Sequence, residues 1–345
     1  MTKNANEVRI LGGSVLEVGG VRLTFQRTLR IPDDGRTYPL PPGLGAFPLR
    51  RVDDYASRVP ADWRERGGVF LPMYQREALW LSFGGSTPHA LQIGVGKVCA
   101  ISGGIFGADL RAEPQNYVVA GVQPWLDGIA SGKGTIRQFV AMPLGQGYTV
   151  EGQVTGEERF GGIQLRAFAP KPGRIPPPTP YRGMVVAGEH AVSACMPMSP
   201  MACAAPAQGA PRGRAASMGL AAGGRMEQKV YPDPHGVDAW EPGRSSRVFV
   251  HLVNSELWRE ITGEEPPASP VTAKSYAAAG LPWFSLYDEH APTVTPTSTL
   301  SSVRSIAQID AQKGVPSGEE SVEPGLVKRL AGRLAQALGV RDGDW

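Results

Sequence analysis

Cysteine is scarce: the 345 residues carry three thiols, Cys99, Cys195 and Cys203. A disulfide scaffold is therefore not expected at this size, and the count suits a reducing compartment. Charge is sparse too, at 19% Asp, Glu, Lys and Arg against about 25% in an average domain. The formal net charge of +3 is too small to direct the chain onto nucleic acid or an anionic membrane by itself. No apolar run approaches the roughly 18 residues that span a bilayer. The best, Tyr117 to Leu126, is interrupted by Gly121, Gln123 and Pro124. No Asn-x-Ser/Thr acceptor occurs, and Met1 to Glu7 has no apolar stretch behind Lys3 of the kind a secretory signal shows. The expectation is a soluble, cytoplasmic protein without a membrane span.

Glycine and proline are abundant, with 44 and 32 residues, about a fifth of the chain. Both interrupt helix interiors, while a hydrophobic content of 41% argues against global disorder. The clearest local structure is Val15-Leu16-Glu17-Val18-Gly19-Gly20-Val21-Arg22-Leu23-Thr24-Phe25, alternation on both sides of a Gly-Gly pair, which reads as a hairpin. Strand-like runs bounded by Gly, Pro or Asp follow at Ala78–Phe83, Ala90–Gly94, Lys97–Ile101, Tyr117–Val122, Ile136–Met142, Tyr148–Val154 and Ile163–Phe168. None precedes a helix long enough for a parallel crossover. The fold expected is α+β and β-rich: an antiparallel sandwich or barrel-like N-terminal part with a few peripheral helices.

Residues 1–169 are read as the antiparallel β domain. Residues 170–181, with six prolines, form a Pro-rich linker or strap. Residues 182–295 make a second β-rich part containing a mobile Ala/Gly/Met loop at 195–224. Residues 296–345 form a tail ending in an amphipathic helix, with Pro324 at its start, Gly339 at its end, and Leu326, Val327, Leu330, Leu334 and Leu338 on one stripe. Short helices are expected at Val52–Ser57, Asp62–Arg66, Ser255–Ile261 and Ala273–Ala279.

Three segments carry a likeness: Val69-Phe70-Leu71-Pro72-Met73-Tyr74-Gln75-Arg76-Glu77-Ala78, then Arg137-Gln138-Phe139-Val140-Ala141-Met142-Pro143-Leu144-Gly145-Gln146-Gly147-Tyr148 with Thr155-Gly156-Glu157-Glu158, then Met218-Gly219-Leu220-Ala221-Ala222-Gly223-Gly224-Arg225-Met226 before Tyr231-Pro232-Asp233-Pro234. Together they resemble an uncharacterised family of bacterial and fungal proteins with no established activity, over roughly residues 22–310. The resemblance implies that the chain is one co-evolved unit and transfers no catalytic residue. Some members are labelled membrane proteins, a label the hydropathy of this sequence argues against.

The sharpest chemical signal is the run Cys195, Met196, Met198, Met201 and Cys203, soft sulfur ligands of the kind Cu(I) prefers. No His is placed to help, and the plainer reading is an adaptable contact surface or a surface disulfide. Asp233, His235 and Asp238, with Glu241, space carboxylates as some cation loops do but lack the EF-hand alternation, and read as a polar turn. Ser102 lacks the strand–turn–helix context of a nucleophile elbow. Gly128 to Thr135 misses the Walker A spacing and reads as a Gly-rich hairpin. Glu151, Glu157 and Glu158 gather around an expected hairpin between Tyr148–Val154 and Ile163–Phe168; paired carboxylates can work on sugars, although a solvated turn explains them more simply. His251, alternating with Phe249 and Val253, reads as a satisfied core histidine.

No coherent catalytic set emerges. The leading expectation is a non-enzymatic binding or self-assembling structural protein, a homo-oligomer or the partner of another protein rather than of nucleic acid. The alternative is a hydrolase-like enzyme with a site where the two parts join, for which Glu157, Glu158, Asp233 and His235 are the candidates. A second alternative is Cu(I) binding through the Cys/Met run.

Overall fold

The computed structural model describes residues 8–175, 217–285, 291–316 and 322–331. The first strands follow the alternation: β1 (Val8–Leu11), β2 (Val15–Val18) and β3 (Val21–Thr28) form a meander. Its second turn is the Gly19-Gly20 pair, at φ 55° and 99°, the left-handed values a two-residue hairpin turn requires. Helix α1 (Ala61–Arg66) precedes β4 (Val69–Met73), followed by β5 (Ala78–Gly84), β6 (His89–Val95) and β7 (Val118–Ala120). Next come β8 (Gly128–Gly132), β9 (Thr135–Pro143), helix α2 (Val150–Thr155) and β10 (Ile163–Pro170). The chain continues through β11 (Ser217–Glu227), β12 (Trp240–Asn254), α3 (Ser255–Thr262), α4 (Ala273–Ala278), β13 (Pro282–Ser285), α5 (Ser298–Ser301), α6 (Ile306–Lys313) and β14 (Lys328–Ala331).

Hydrogen bonding sorts the main strands into two arms. One runs β1-β2-β3-β5-β9-β11 and the other β4-β12-β10-β6-β7; β11 and β12 join them where Ser217 and Met218 pair with Val253 and Leu252. Leu16, Leu23, Phe25, Leu79 and Leu81 of the first arm share one buried cluster with Leu91, Ile93, Ile163, Leu165, Val248 and Val250 of the second. The arms thus face each other across a sandwich core, and the sheet does not close into a barrel. Burial of each such side chain stabilises the fold by about 1.5–3 kcal/mol. Most pairings are antiparallel; β4 runs parallel to β12, Val69 opposite Val250. No helix among the described residues is long and apolar enough to cross a membrane.

Several sequence expectations are corrected. The stretch Tyr148–Val154 is helical from Val150 onward, not a strand: the Thr149 side chain accepts from the Gly152 N–H and Gly156 closes the helix at φ 81°. Val150 and Val154, two turns of an apparent alternation, are i,i+4 neighbours on the core side. The expected boundary after residue 169 does not divide the sheet, because β9 pairs β11 and β10 pairs β12; the second part completes the first. Residues 217–224, expected in a mobile loop, are buried strand, while 195–216 lie outside the described residues. Pro170 ends β10 opposite Trp240, and 176–181 of the expected strap are not among the described residues.

The segment after 296 is no tail, since Leu300 and Val303 enter the main core and Ile306 and Ile309 a neighbouring cluster. Nor does a helix start at Pro324. Pro324–Leu326 is a single 3-10 turn and Lys328–Ala331 pairs parallel to Pro282–Ser285, because Val322 and Val327 pack against Trp283 and Tyr276 in a separate cluster; residues 332–338 are outside the described residues.

Candidate functional site

The four candidate catalytic residues do not meet. Glu157 is exposed. Glu158 is spent on the α2 cap: Thr149 donates to it through Oγ1 (2.7 Å) and N–H (3.0 Å), and Gly147 through its N–H (3.0 Å). Burial opposes ionisation of Glu158, but these donors outweigh it and hold its carboxyl below the usual range. Asp233 lies beyond the other end of β10, a strand that spans about 23 Å at 3.3 Å per residue, where Pro170 pairs with Trp240. There Tyr117 Oη donates to it at 2.6 Å and Trp240 Nε1 at 2.8 Å, and its other oxygen accepts from the His235 N–H. His235 and Asp238 are exposed. This is the polar turn the sequence suggested.

Ser102 Oγ accepts from Gly104 N–H, and Gly128 to Thr135 is a hairpin turning at Gly134. Cys195, Met196, Met198, Met201 and Cys203 lie outside the described residues. Among the described residues, no three His, Cys, Asp or Glu side chains are grouped as a metal ion needs. His251 is buried between Trp63 and Phe249, with ring centroids at 4.5 Å and 4.4 Å, and its Nε2 lies 3.0 Å from the Gly67 carbonyl. Burial pushes its pKa down to about 3, so the neutral ring donates there as a core histidine.

A feature the sequence did not disclose surrounds Glu151. Its buried carboxylate accepts from Gly161 N–H (2.8 Å) and Phe160 N–H (3.1 Å). Burial raises its pKa, opposed by these bonds, one from the Lys97 backbone and the charge of Arg66. Gly96 makes the approach possible: a Cβ there would lie 2.5 Å from Glu151 Cδ. Gly68 and Gly162, both at positive φ, pass equally close to Phe249 and Val250 carbonyls. The turns at this corner are thereby fixed, and they carry cations. Lys97 Nζ is 4.6 Å from the Phe160 ring centroid, Arg66 4.9 Å and Arg159 5.6 Å; Arg66 is also 5.5 Å from Phe249. Arg66 is tied to Asp62 (3.2 Å), whereas Lys97 and Arg159 make no ion pair among the described residues.

From this corner the basic character continues over the outer face of β6, β10 and β12. Leu165, Val248, Val250, Leu91 and Ile93 point into the core, so the alternating residues Gln92, Arg166, Arg247 and Phe249 face away. Arg247 is exposed. Alternation alone sent these side chains outward; the register that sets them side by side is not a sequence property. No protein-family model, curated protein or solved structure matches the chain.

Proposed function

We propose that the chain is a non-enzymatic binding protein whose contact surface is this basic, aromatic face, and that its partner is an acidic protein segment. The observation carrying the proposal is the set of cations held around Phe160 on glycine-locked turns, two of them without an acidic partner among the described residues. Fixed cations lose little entropy on binding a carboxylate. An acidic peptide is favoured over nucleic acid because the Phe160 ring is already occupied by cations, while single-strand binding relies on aromatic faces open to bases. The commitment of Glu158, Asp233 and Asp310 to structural hydrogen bonds supports binding over acid–base catalysis.

Fluorescence anisotropy of a labelled poly-glutamate peptide tests this. Salt-dependent binding is expected, weakened at least tenfold in Lys97→Ala/Arg159→Ala. Equal binding by that variant, or preference for a single-stranded oligonucleotide, rejects the reading.

A second reading, self-association, rests on β1, which among the described residues pairs only along its β2 edge. An open edge can accept a strand from another copy. Light scattering on size-exclusion chromatography is expected to give at least a dimer at tens of micromolar, reverting to monomer in Ile10→Pro. A monomeric wild type removes this reading.

A further inference from the structure

On the outer face of β10 and β12, Arg166 stands directly opposite Arg247, and on its other side opposite Gln92 of β6. Cβ atoms so paired are about 5 Å apart, and like charges in that position repel. Neither guanidinium has an ion pair among the described residues, although Asp109 lies near enough to attract Arg166. Arg166 Nε is buried without a hydrogen-bond partner. Beside it Gln92, 1% exposed, donates from Nε2 to the Asp109 carbonyl at 3.0 Å while its Oε1 is buried and unpartnered. The segment leading to Asp109 crosses over this face, with Phe106 seated on Gly94, where a Cβ would come within 2.6 Å of the ring. A wall, two facing cations, an unmet donor and an unmet acceptor thus stand on neighbouring strands of one face.

Buried polar groups cost free energy unless partnered, and two guanidiniums side by side suit a group with several anionic oxygens. An unmet carbonyl oxygen next to them asks for a ligand that also presents an N–H or O–H. A carboxylate has two oxygens, enough for one guanidinium fork, whereas a phosphoryl group has three to divide between both arginines. Esterified to a peptide, it also brings an adjacent backbone N–H to Gln92.

We propose that Arg166, Arg247 and Gln92 form a phosphoryl-binding pocket that takes a phosphoserine- or phosphothreonine-bearing segment. The choice of a peptide as carrier rests on the binding reading above; the phosphoryl site itself does not.

Isothermal titration of the full chain with an Ala-phosphoserine-Ala peptide amide, its unphosphorylated counterpart and inorganic phosphate tests the pocket. The phosphopeptide is expected to bind at least tenfold more tightly than inorganic phosphate, and the unphosphorylated peptide not at all. Arg247→Gln, at an exposed position that leaves the core untouched, is expected to weaken both phosphoryl ligands at least tenfold. Gln92→Leu is expected to weaken the phosphopeptide alone, to the level of inorganic phosphate. Equal affinity of wild type and Arg247→Gln for the phosphopeptide, or no preference for the phosphorylated form, overturns the pocket. If inorganic phosphate binds through Arg247 but the phosphopeptide binds no better, the peptide assignment is overturned. Absence of poly-glutamate binding by the wild type, with phosphate binding intact, rejects the surface reading instead.

Discussion

Replacing Asp310 by Ala is expected to lower the folding free energy by about 3 kcal/mol, the low end for stranding one member of a buried ion pair. Asp310 on α6 is fully buried and accepts from Arg76 through its two terminal guanidinium nitrogens, Nη1 and Nη2, at 2.8 Å, and from Tyr148 Oη at 2.7 Å. Arg76 stands at φ 67°, a non-glycine residue in the left-handed region, where such a residue persists only if its surroundings hold it. Here they do: its N–H donates to the Ala141 carbonyl, and the next residue, the buried Glu77, accepts from Arg27 at 2.8 Å and from Tyr74 N–H. Asp310 therefore fastens the turn between β4 and β5 to α6, and its loss frees both. A urea transition at pH 7 measures the effect through its midpoint. Arg76 is about a quarter exposed; a loss below 1 kcal/mol would mean that its guanidinium turns to solvent and that the pair is not a fastening.

The sign of the pH dependence follows. Burial alone would raise the Asp310 pKa, but the bonds from Arg76 and Tyr148 and the Arg76 charge outweigh it, so the folded-state value is depressed. The contribution is complete above the unfolded value near 4 and disappears as pH falls through the depressed folded value. The difference between wild type and Asp310→Ala should thus hold from pH 7 to 5 and shrink only in stronger acid.

What could be read in the sequence was local. The Gly19-Gly20 and Lys133-Gly134 hairpins are specified by neighbours in the chain, and the short helices at Asp62–Arg66, Ser255–Ile261 and Ala273–Ala279 by their flanks. β4 was not legible. Val69 to Met73 is buried on both faces and so shows no alternation, and Pro72 argues against a strand; its principal partner, β12, is more than 170 residues away. The stripe from Leu326 to Leu338 has helical spacing, yet pairing beside Trp283 decides the conformation of Lys328–Ala331, as tertiary contact overrides propensity. The same divide separates the sites. Asp233 was legible as a turn residue because His235 and Trp240 are close in sequence, although Tyr117 is not; Glu158, expected in a solvated turn, instead binds the cap of a helix that reads as a strand. Arg166, Arg247 and Gln92 become neighbours only through strand register, which fixes which outward side chains stand opposite each other.

Asp127 yields the second large effect, with the opposite sign to Asp310. It lies just before β8, fully enclosed, where Gln228 Nε2 donates to its Oδ2 at 2.7 Å and its own N–H donates to Gln228 Oε1 at 2.9 Å. Among the described residues no cation contributes to its environment: burial pushes its pKa up to about 7, with the Gln228 bond pulling the other way. A carboxyl whose folded value is raised favours folding fully below its unfolded value near 4, and that advantage declines as pH rises from about 4 to 7. At 1.36 kcal/mol per unit, a displacement of about three units amounts to about 4 kcal/mol by pH 8. Asp127→Asn keeps the oxygen that accepts from Gln228 and cannot ionise; its added N–H₂ group, short of a partner, costs about 1 kcal/mol. The variant is expected to be more stable than wild type by about 3 kcal/mol at pH 8 and slightly less stable at pH 4, so the two stability curves cross. Urea transitions of both proteins across that range measure the crossing. Parallel curves would show that the Asp127 carboxyl titrates at its ordinary value in the folded chain, and hence that water reaches the Asp127–Gln228 pair.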